Sequence, residues 1–351
     1  MTSWRKSIVV LLAAACLSAA ADPALLGLVP PDTRVVVGAN LSRFMASPLG
    51  QVVLSQAQSA QPQFGQLLQE TGFDPLRDLQ EVLIASPGGQ KETRGLVLLK
   101  GAFDPARLSA LAQKSGAAVQ TYNGVQVMAG KQKTDGWFAF LGGATAALGD
   151  AASVQALIDR PPSARGLDAT LRARIDRTSN TYDFWAVSTV PPSQLTSGMQ
   201  PGQFDGLMQG DVLKGVLETS FGIKFGADML IAVEALTRSD KDAAALADVV
   251  RFFVSLAQMS AQKDPKAAAS LSFLQKLQLT SEGSVMRLSL SIPQADLEKF
   301  IQQAQAAAKQ QVVAPKKSAA PAKRSPSEAP PPSGGLVIES SPRDMGTVVV
   351  K

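Results

Sequence analysis

The segments MLIAVEA at residues 229–235 and MRLSLSI at residues 286–292 decide the fold, because every second residue in each is apolar. A period of two is typical of a β-strand with one buried face. Between the two segments, apolar residues recur at the spacing of a helix that begins near Ser239. The stretch Phe221–Ala304 is therefore predicted to run strand, helix, strand, and to end in a helix with its apolar stripe at Leu297, Phe300, Ile301 and Ala304.

The N-terminal half repeats this alternation of strands and helices. Asn123-Gly124 predicts a two-residue hairpin turn, because both residue types tolerate the left-handed backbone. Asp104-Pro105 predicts a helix start, with Gly116 at the helix end. We expect an α+β fold of two units, residues 22–160 and 161–309, each an antiparallel sheet with helices packed on one face. Their shared pattern is consistent with an internal duplication, and Arg160-Pro161-Pro162 marks the boundary.

Several local signals place further elements. A strand is predicted over Arg34–Leu41, and Ser47-Pro48 is a cap followed by proline at the first helical position. Helices are predicted over Leu167–Arg177 and near Asp211–Thr219. The segment Pro191–Gly210 is rich in Gly, Pro, Ser and Gln and predicts a long loop, either a surface excursion or part of a functional site.

The first 21 residues predict a secretory signal peptide. Arg5 and Lys6 precede the apolar run Ile8–Ala15, and small residues follow up to Asp22. This order of charge, apolar run and small residues is typical of an exported chain. We expect cleavage after Ala20 or Ala21 and a periplasmic or secreted protein. Nothing later in the sequence is apolar enough over about 20 residues to cross a bilayer.

Cysteine and histidine usage restricts the chemistry. Cys16 is the only cysteine, and the sequence contains no histidine. Signal cleavage would remove Cys16, although its position after three alanines also permits a lipid anchor as a minor alternative. The composition excludes Ser-His-Asp and Cys-His nucleophilic sites and zinc sites built from His and Cys. An enzyme would need a pair of carboxylates, a lysine base or a metal ion bound by carboxylates. We identify no catalytic, cofactor-binding or metal-binding residues.

The net charge of +5 is concentrated at the two ends of the chain. The signal segment contributes +2 and Lys309–Lys351 contributes +4, which leaves about −1 on the body. A body without a basic surface is not expected to bind nucleic acid. Residues 310–335 are rich in Pro, Ala, Ser and Lys and predict a disordered linker, while residues 336–351 regain strand propensity. The basic tail residues are either a solvated linker or a contact for an anionic surface polymer: Lys316, Lys317, Lys323 and Arg324.

Three groups of polar residues are weighed as sites. Asp74, Arg77 and Asp78 could hold an anion or a metal ion, but a capped turn with a surface ion pair explains them more simply. Asp240, Asp242 and Asp248 are interpreted as charges that favour a helix N-terminus instead of a carboxylate pair. The pairs Gly88-Gly89 and Gly142-Gly143 lack phosphate-loop spacing and predict turns.

Two groups of apolar residues are weighed in the same way. The helix near Ala243–Met259 is apolar over more than one stripe. Burial between the sheet and a neighbouring helix would explain this, and so would a lipid cavity or a partner helix. Tyr182, Phe184 and Trp185 predict core and cross-strand packing. The residues that widen the apolar face of the helix are Phe252, Phe253, Leu256 and Met259.

One resemblance supports the same picture. Lys100-Gly101-Ala102-Phe103-Asp104 and Tyr122-Asn123-Gly124-Val125 lie within Gly95–Ala129. Together with Ser239–Ile292, this segment resembles a group of uncharacterised exported bacterial proteins. The resemblance implies export and an α+β fold, and it supplies no activity and no catalytic residue.

These observations predict a non-enzymatic protein of the cell envelope, a binding or scaffolding module. The expected partner is an envelope protein, or an anionic surface polymer reached through the C-terminal tail. A carrier or sensor of an apolar ligand or lipid, built on the long helix, is the alternative. A hydrolase based on carboxylates is third. An enclosed apolar cavity beside the helix would favour the carrier.

Overall fold

A computed structural model describes residues 20–60, 68–88, 95–130, 136–142, 144–161, 166–192, 211–263 and 273–299. The described strands form one sheet of twelve strands, and every neighbouring pair is antiparallel. The α+β class predicted from the sequence is therefore confirmed. All of these residues belong to one compact body, Met1–Gln303.

The strands are numbered in chain order and differ in length between the two halves. In the first half they are β1 Val35–Asn40, β2 Leu79–Ser86, β3 Leu96–Gly101, β4 Ala118–Tyr122, β5 Val125–Ala129, β6 Trp137–Gly142 and β7 Thr145–Gly149. In the second half they are β8 Phe184–Ser188, β9 Val216–Phe225, β10 Asp228–Thr237, β11 Gln278–Glu282 and β12 Val285–Pro293.

The helices connect these strands and are numbered in the same way. They are α1 Pro23–Leu28, α2 Leu41–Ala46, α3 Pro48–Ala60, α4 Pro75–Asp78, α5 Pro105–Lys114, α6 Ala151–Asp159, α7 Ala169–Thr181, α8 Asp211–Lys214 and α9 Asp240–Lys263. Further helical turns cover residues 68–71, 273–275 and 294–299.

Local chemistry explains most of the boundaries. The carboxylates of Asp104 and Asp150 each accept a backbone N–H in the first turn of the helix that follows, which compensates for the missing intrahelical partners. Asn123 and Gly124 have φ values of 45° and 81°, as the predicted hairpin turn requires. Ser47 accepts the N–H of Gly50 at 3.1 Å. The caps at Asp104 and Ser47 and the hairpin turn confirm the sequence predictions.

The two predicted units contribute to a single sheet. Its strand order is β11-β12-β10-β9-β8-β1-β2-β3-β7-β6-β5-β4, so each unit supplies one half. The halves join where β1 pairs with β8, with Val36 opposite Val187. Arg160-Pro161 therefore lies on a connection between two halves of one sheet. The sequence pattern identifies the strands of each half, but it contains no signal for this long-range pairing.

Helices pack against both faces of the sheet, and the two cores lie on opposite faces. The larger core holds Val36, Leu98 and Val187 beneath α1, α6 and α7. The smaller core joins Leu246 and Ala247 of α9 to strand residues of the other face, including Ala235 and Met286. In the second half, α7 and α9 thus pack on different faces, and the sheet changes its buried face along its length. The prediction that each unit has helices on one face does not anticipate that the buried face changes along the sheet.

Several boundaries differ from those predicted. The helix near Asp211–Thr219 ends at Lys214, and β9 begins at Val216, because the rest of this segment pairs with β10 and, at Thr219, also with β8. Helix α7 continues to Thr181, four residues beyond the predicted end. The predicted strand at Arg34–Leu41 stops at Asn40, whose side chain accepts the N–H of Arg43 and begins α2. No helix within the described ranges has the length and hydropathy needed to cross a membrane.

Candidate functional site

Six apolar residues form a continuous row across the middle of the sheet, on the face opposite the larger core. Each is the cross-strand neighbour of the next, so their side chains share one face. The strands that carry them lie side by side in the order β7, β3, β2, β1, β8 and β9. We call this surface the apolar row: Leu148, Val97, Ile84, Val37, Ala186 and Phe221.

The apolar row is accessible to solvent along its length. Leu148, Ile84, Val37 and Phe221 are each between 38% and 43% exposed, and the two residues between them are half-buried. Adjacent strands are about 4.8 Å apart, so the row extends for roughly 24 Å. Single exposed apolar residues are common on protein surfaces, whereas a continuous exposed series often marks an interaction site.

Neighbouring parts of the same face are covered by the chain itself. Beyond Phe221 the row continues through Val233 to Leu288, which packs against the core under α9. Next to the row, Phe44 of α2 contacts the rings of Phe184 and Phe225 with centroid distances of 5.6 and 4.8 Å. The row therefore adjoins two regions of the same face that the chain covers itself.

Helix α9 has a second exposed apolar surface. Phe252 is 62% exposed, and Leu256 and Met259 are also exposed. Their spacing of four and three residues places them on one side of the helix. Burial between the sheet and a neighbouring helix, one of the explanations weighed above, does not hold for these three residues, whereas Phe253 is half-buried. The N-terminal part of the helix holds the packing contacts, through Leu246, because that part lies over the sheet.

A polar groove of about 310 Å³ lies on the other face, beside α7. Arg174 forms ion pairs with Glu218 and, at 3.7 Å, with Glu234. Arg287 contacts Glu234 at 2.9 Å. Burial raises the pKa of Tyr182, which also lines the groove, and the charge of Glu234 raises it further. The groove is lined by residues of α7 and the strands and not by α9, so it is not the apolar cavity that would favour a carrier.

The charged candidates form the cap, the ion pairs and the helix-start positions that the simpler interpretation predicts. Asp74 caps α4 by accepting the N–H of Leu76 at 3.0 Å, and Arg77 pairs with Asp78 at 2.8 Å. This side-chain hydrogen bond from Arg77 lowers the pKa of Asp78. At α9, Asp240 and Asp242 lie in the first turn. Asp248 pairs with Arg251 one turn further along.

The aromatic candidates confirm the predicted packing role. Trp185 is buried in the larger core, against which Tyr182 packs, and Phe184 makes edge contacts on the other face. Gly88 has a φ of 74°, consistent with the predicted turn, while Gly89 and Gly143 lie outside the described residues.

Some candidates lie where the structure gives no description. These are Cys16, most of the Pro191–Gly210 loop and the basic tail residues from Lys316 to Arg324. Among the residues that are described, no three Asp, Glu, Cys or His side chains converge in a way that could hold a metal ion. The absence of catalytic, cofactor-binding and metal-binding residues stays a prediction.

The apolar row was missed in the sequence, although a signal for it exists. In β1 and β2 the apolar residues are consecutive, as in Val35-Val36-Val37 and Leu83-Ile84-Ala85. Such runs are typical of strands whose two faces are both apolar. Whether the second face is covered depends on distant parts of the chain, and the alternation pattern does not contain that information.

Comparison with known proteins finds similar solved structures, among them two crystal forms of TP0453. No protein-family model matches the chain, and no curated protein matches it. Crystal form I of TP0453 matches with a TM-score of 0.47 at 10% identity, over 82% of this chain and 98% of that chain. Crystal form IV of TP0453 matches with a TM-score of 0.48 at 11% identity, over 81% of this chain and 97% of that chain.

Proposed function

We propose that the chain is an exported, non-enzymatic binding module of the cell envelope, and that the apolar row contacts a partner protein. The observation that carries this proposal is the row itself, because four of its six residues are more than a third exposed. The signal-like N-terminus supports export. A mature chain without cysteine or histidine supports a role in binding over nucleophilic catalysis.

The shape of the surface favours a protein over a small ligand. Small-molecule sites are concave and bury most of the ligand. The apolar row lies on a sheet face, where a bound acyl chain would keep one side in water. A protein with an apolar patch would instead bury both surfaces, in the way that α9 covers the adjacent part of the same face.

Photo-crosslinking in intact cells tests the proposal. A photoreactive phenylalanine analogue replaces Ile84, and a control chain carries it at Lys224, which is exposed on the opposite face. We expect a protein adduct of one fixed mass from position 84 and none from position 224. Phe221→Lys, in the same row, should reduce that adduct at least tenfold.

Two outcomes would contradict the proposal. Equal adducts from positions 84 and 224 would indicate non-specific contact. An adduct that is extracted by organic solvent would indicate a lipid and would favour the carrier alternative. That alternative is supported by the exposed stripe Phe252, Leu256 and Met259 on α9. Native mass spectrometry of the purified protein would detect a retained lipid directly.

A further inference from the structure

The residues on both sides of the predicted Ala21–Asp22 cleavage bond lie in the core. Ala21 is only 4% exposed, and its N–H donates to the buried hydroxyl of Ser179 at 3.1 Å. Leu25 and Leu26 of α1 are also fully buried in the larger core. Chain ends are usually poorly ordered unless packing or hydrogen bonds hold them. In the uncleaved chain, the segment around the predicted cleavage bond is therefore held by packing and hydrogen bonds.

Asp22 is held by contacts on both its side chain and its backbone. Its carboxylate accepts the N–H groups of Ala24 and Leu25, which caps α1, and it pairs with the ammonium group of Lys100. Burial alone would raise the pKa of Asp22, but the Lys100 and backbone hydrogen bonds outweigh burial and lower it. The backbone N–H of Asp22 donates to both oxygens of Glu81, at 3.1 and 3.2 Å.

Glu81 is a buried carboxylate without a full charge partner. It is 7% exposed, and within the described residues its hydrogen-bond donor is the single N–H of Asp22. Burial raises its pKa to about 7, and the nearby charge of Asp22 raises it too, against the lowering effects of the Asp22 N–H and of Lys100. Buried carboxylates are normally paired with a cation, and Lys100 is already paired with Asp22.

Signal cleavage would supply the missing cation at this position. Ala19 and Ala21 are small residues three and one positions before the Ala21–Asp22 bond, as signal peptidases require. Hydrolysis of that bond consumes one water, leaves a carboxylate on Ala21 and frees the amine of Asp22. Since α-amines have pKa values near 8, the amine takes up a proton and becomes an ammonium group with three N–H donors.

We propose that the mature protein begins at Asp22, and that its α-ammonium group forms a buried ion pair with the carboxylate of Glu81. This inference rests on the export proposed above. Cleavage after Ala20 would instead place the charge at the neutral hydroxyl of Ser179, and burying a charge without a counter-ion is costly. Because Ala21 is buried in the folded chain, cleavage must precede the docking of α1. The new N-terminus then fixes the helix in place.

Mass spectrometry of the exported protein gives the first test. We expect an N-terminus at Asp22. A chain that begins at Ala21, or at a lipid-modified Cys16, would overturn the inference while export itself would stand. A chain that retains Met1 would overturn both the inference and the proposed export.

Titration of Glu81 by ¹³C NMR gives the second test. In the exported protein we expect the Glu81 carboxylate to titrate well below 7, because the ammonium group stabilises its charged form. In a chain that keeps Ala20 and Ala21, it should titrate near 7. Identical titration in the two chains would overturn the ion pair.

The rate at which the α-amine of Asp22 is acylated tests the ion pair in a second way, by comparison with a variant of Glu81. At pH 7 the buried amine should react at least tenfold more slowly in the exported wild-type protein than in Glu81→Gln, whose side chain cannot pair with the charge. Glu282→Gln is the matched control, because Glu282 is exposed. If Glu81→Gln does not accumulate in a folded form, the wild-type titration decides. Equal acylation rates in all three proteins would contradict the proposal.

Discussion

Glu81 links protonation to stability in any chain that keeps Ala21 ahead of Asp22. Its pKa in the folded state is raised from 4.5 to about 7, first because it is buried. The folded state therefore binds the proton more tightly than the unfolded state does. The contribution of Glu81 to stability is full below about pH 4.5 and is lost as the pH rises through about 7.

Glu81→Gln should remove this pH dependence. Between pH 4.5 and 8, the free energy of unfolding of the uncleaved chain should fall by about 3 kcal/mol more than that of Glu81→Gln. Urea unfolding at several pH values measures the difference. A parallel decline in both proteins would show that Glu81 is already ionised in the folded state.

Gly38 is required by a close contact between neighbouring strands. A Cβ atom at this position would lie 2.2 Å from the indole ring of Trp185, which is buried on β8. Gly38→Ala should therefore lower the free energy of unfolding by about 1–3 kcal/mol, since the ring cannot move without disturbing the core. Gly142→Ala is the control, because its Cβ would meet no atom within 4 Å. Equal denaturant midpoints for Gly38→Ala and Gly142→Ala would contradict the predicted clash.

Helix α9 has a buried surface and an exposed surface, and we expect only the buried one to contribute substantially to the free energy of unfolding. Leu246 is buried in the smaller core, whereas Phe252 projects into solvent. The free energy of unfolding should fall by about 2–4 kcal/mol for Leu246→Ala and change by less than about 0.5 kcal/mol for Phe252→Ser. Thermal unfolding measures both effects. A large loss for Phe252→Ser would mean that this side chain packs within the protein and is not available to a partner.

The whole sheet depends on the pairing of β1 with β8. This pairing joins the two halves, and the larger core contains Leu171, Ile175 and Val187 from the second half. We expect a fragment of residues 22–160 to lack a cooperative thermal transition, because it loses both the β8 partner and part of its core. The chain 22–303 is the control. A cooperative transition in the fragment would support two independent domains, as the sequence suggests.

The C-terminal segment lies outside the described residues, and its predicted role as a spacer can be tested by hydrogen exchange. We expect residues 310–335 to exchange amide hydrogens rapidly, as a spacer of about 26 residues with a reach of roughly 25–30 Å. Protection of Val348–Val350 in the isolated protein would indicate that the end of the chain pairs with a sheet edge, β4 or β11. Protection throughout the spacer would contradict the prediction.

The sequence by itself determined the features that depend on local chemistry. Alternation in β10 and β12, the caps at Asp104 and Asp150, and the Asn123-Gly124 turn need only neighbouring residues, so they were predictable. The absence of histidine is also a property of the sequence alone, and it excludes catalytic sites that need an imidazole. Tertiary structure alone decided which strands of the two halves are neighbours, and hence where the sheet changes its buried face. It also placed Asp22 beside Glu81 and left the apolar row exposed, because these features depend on contacts between residues far apart in the chain.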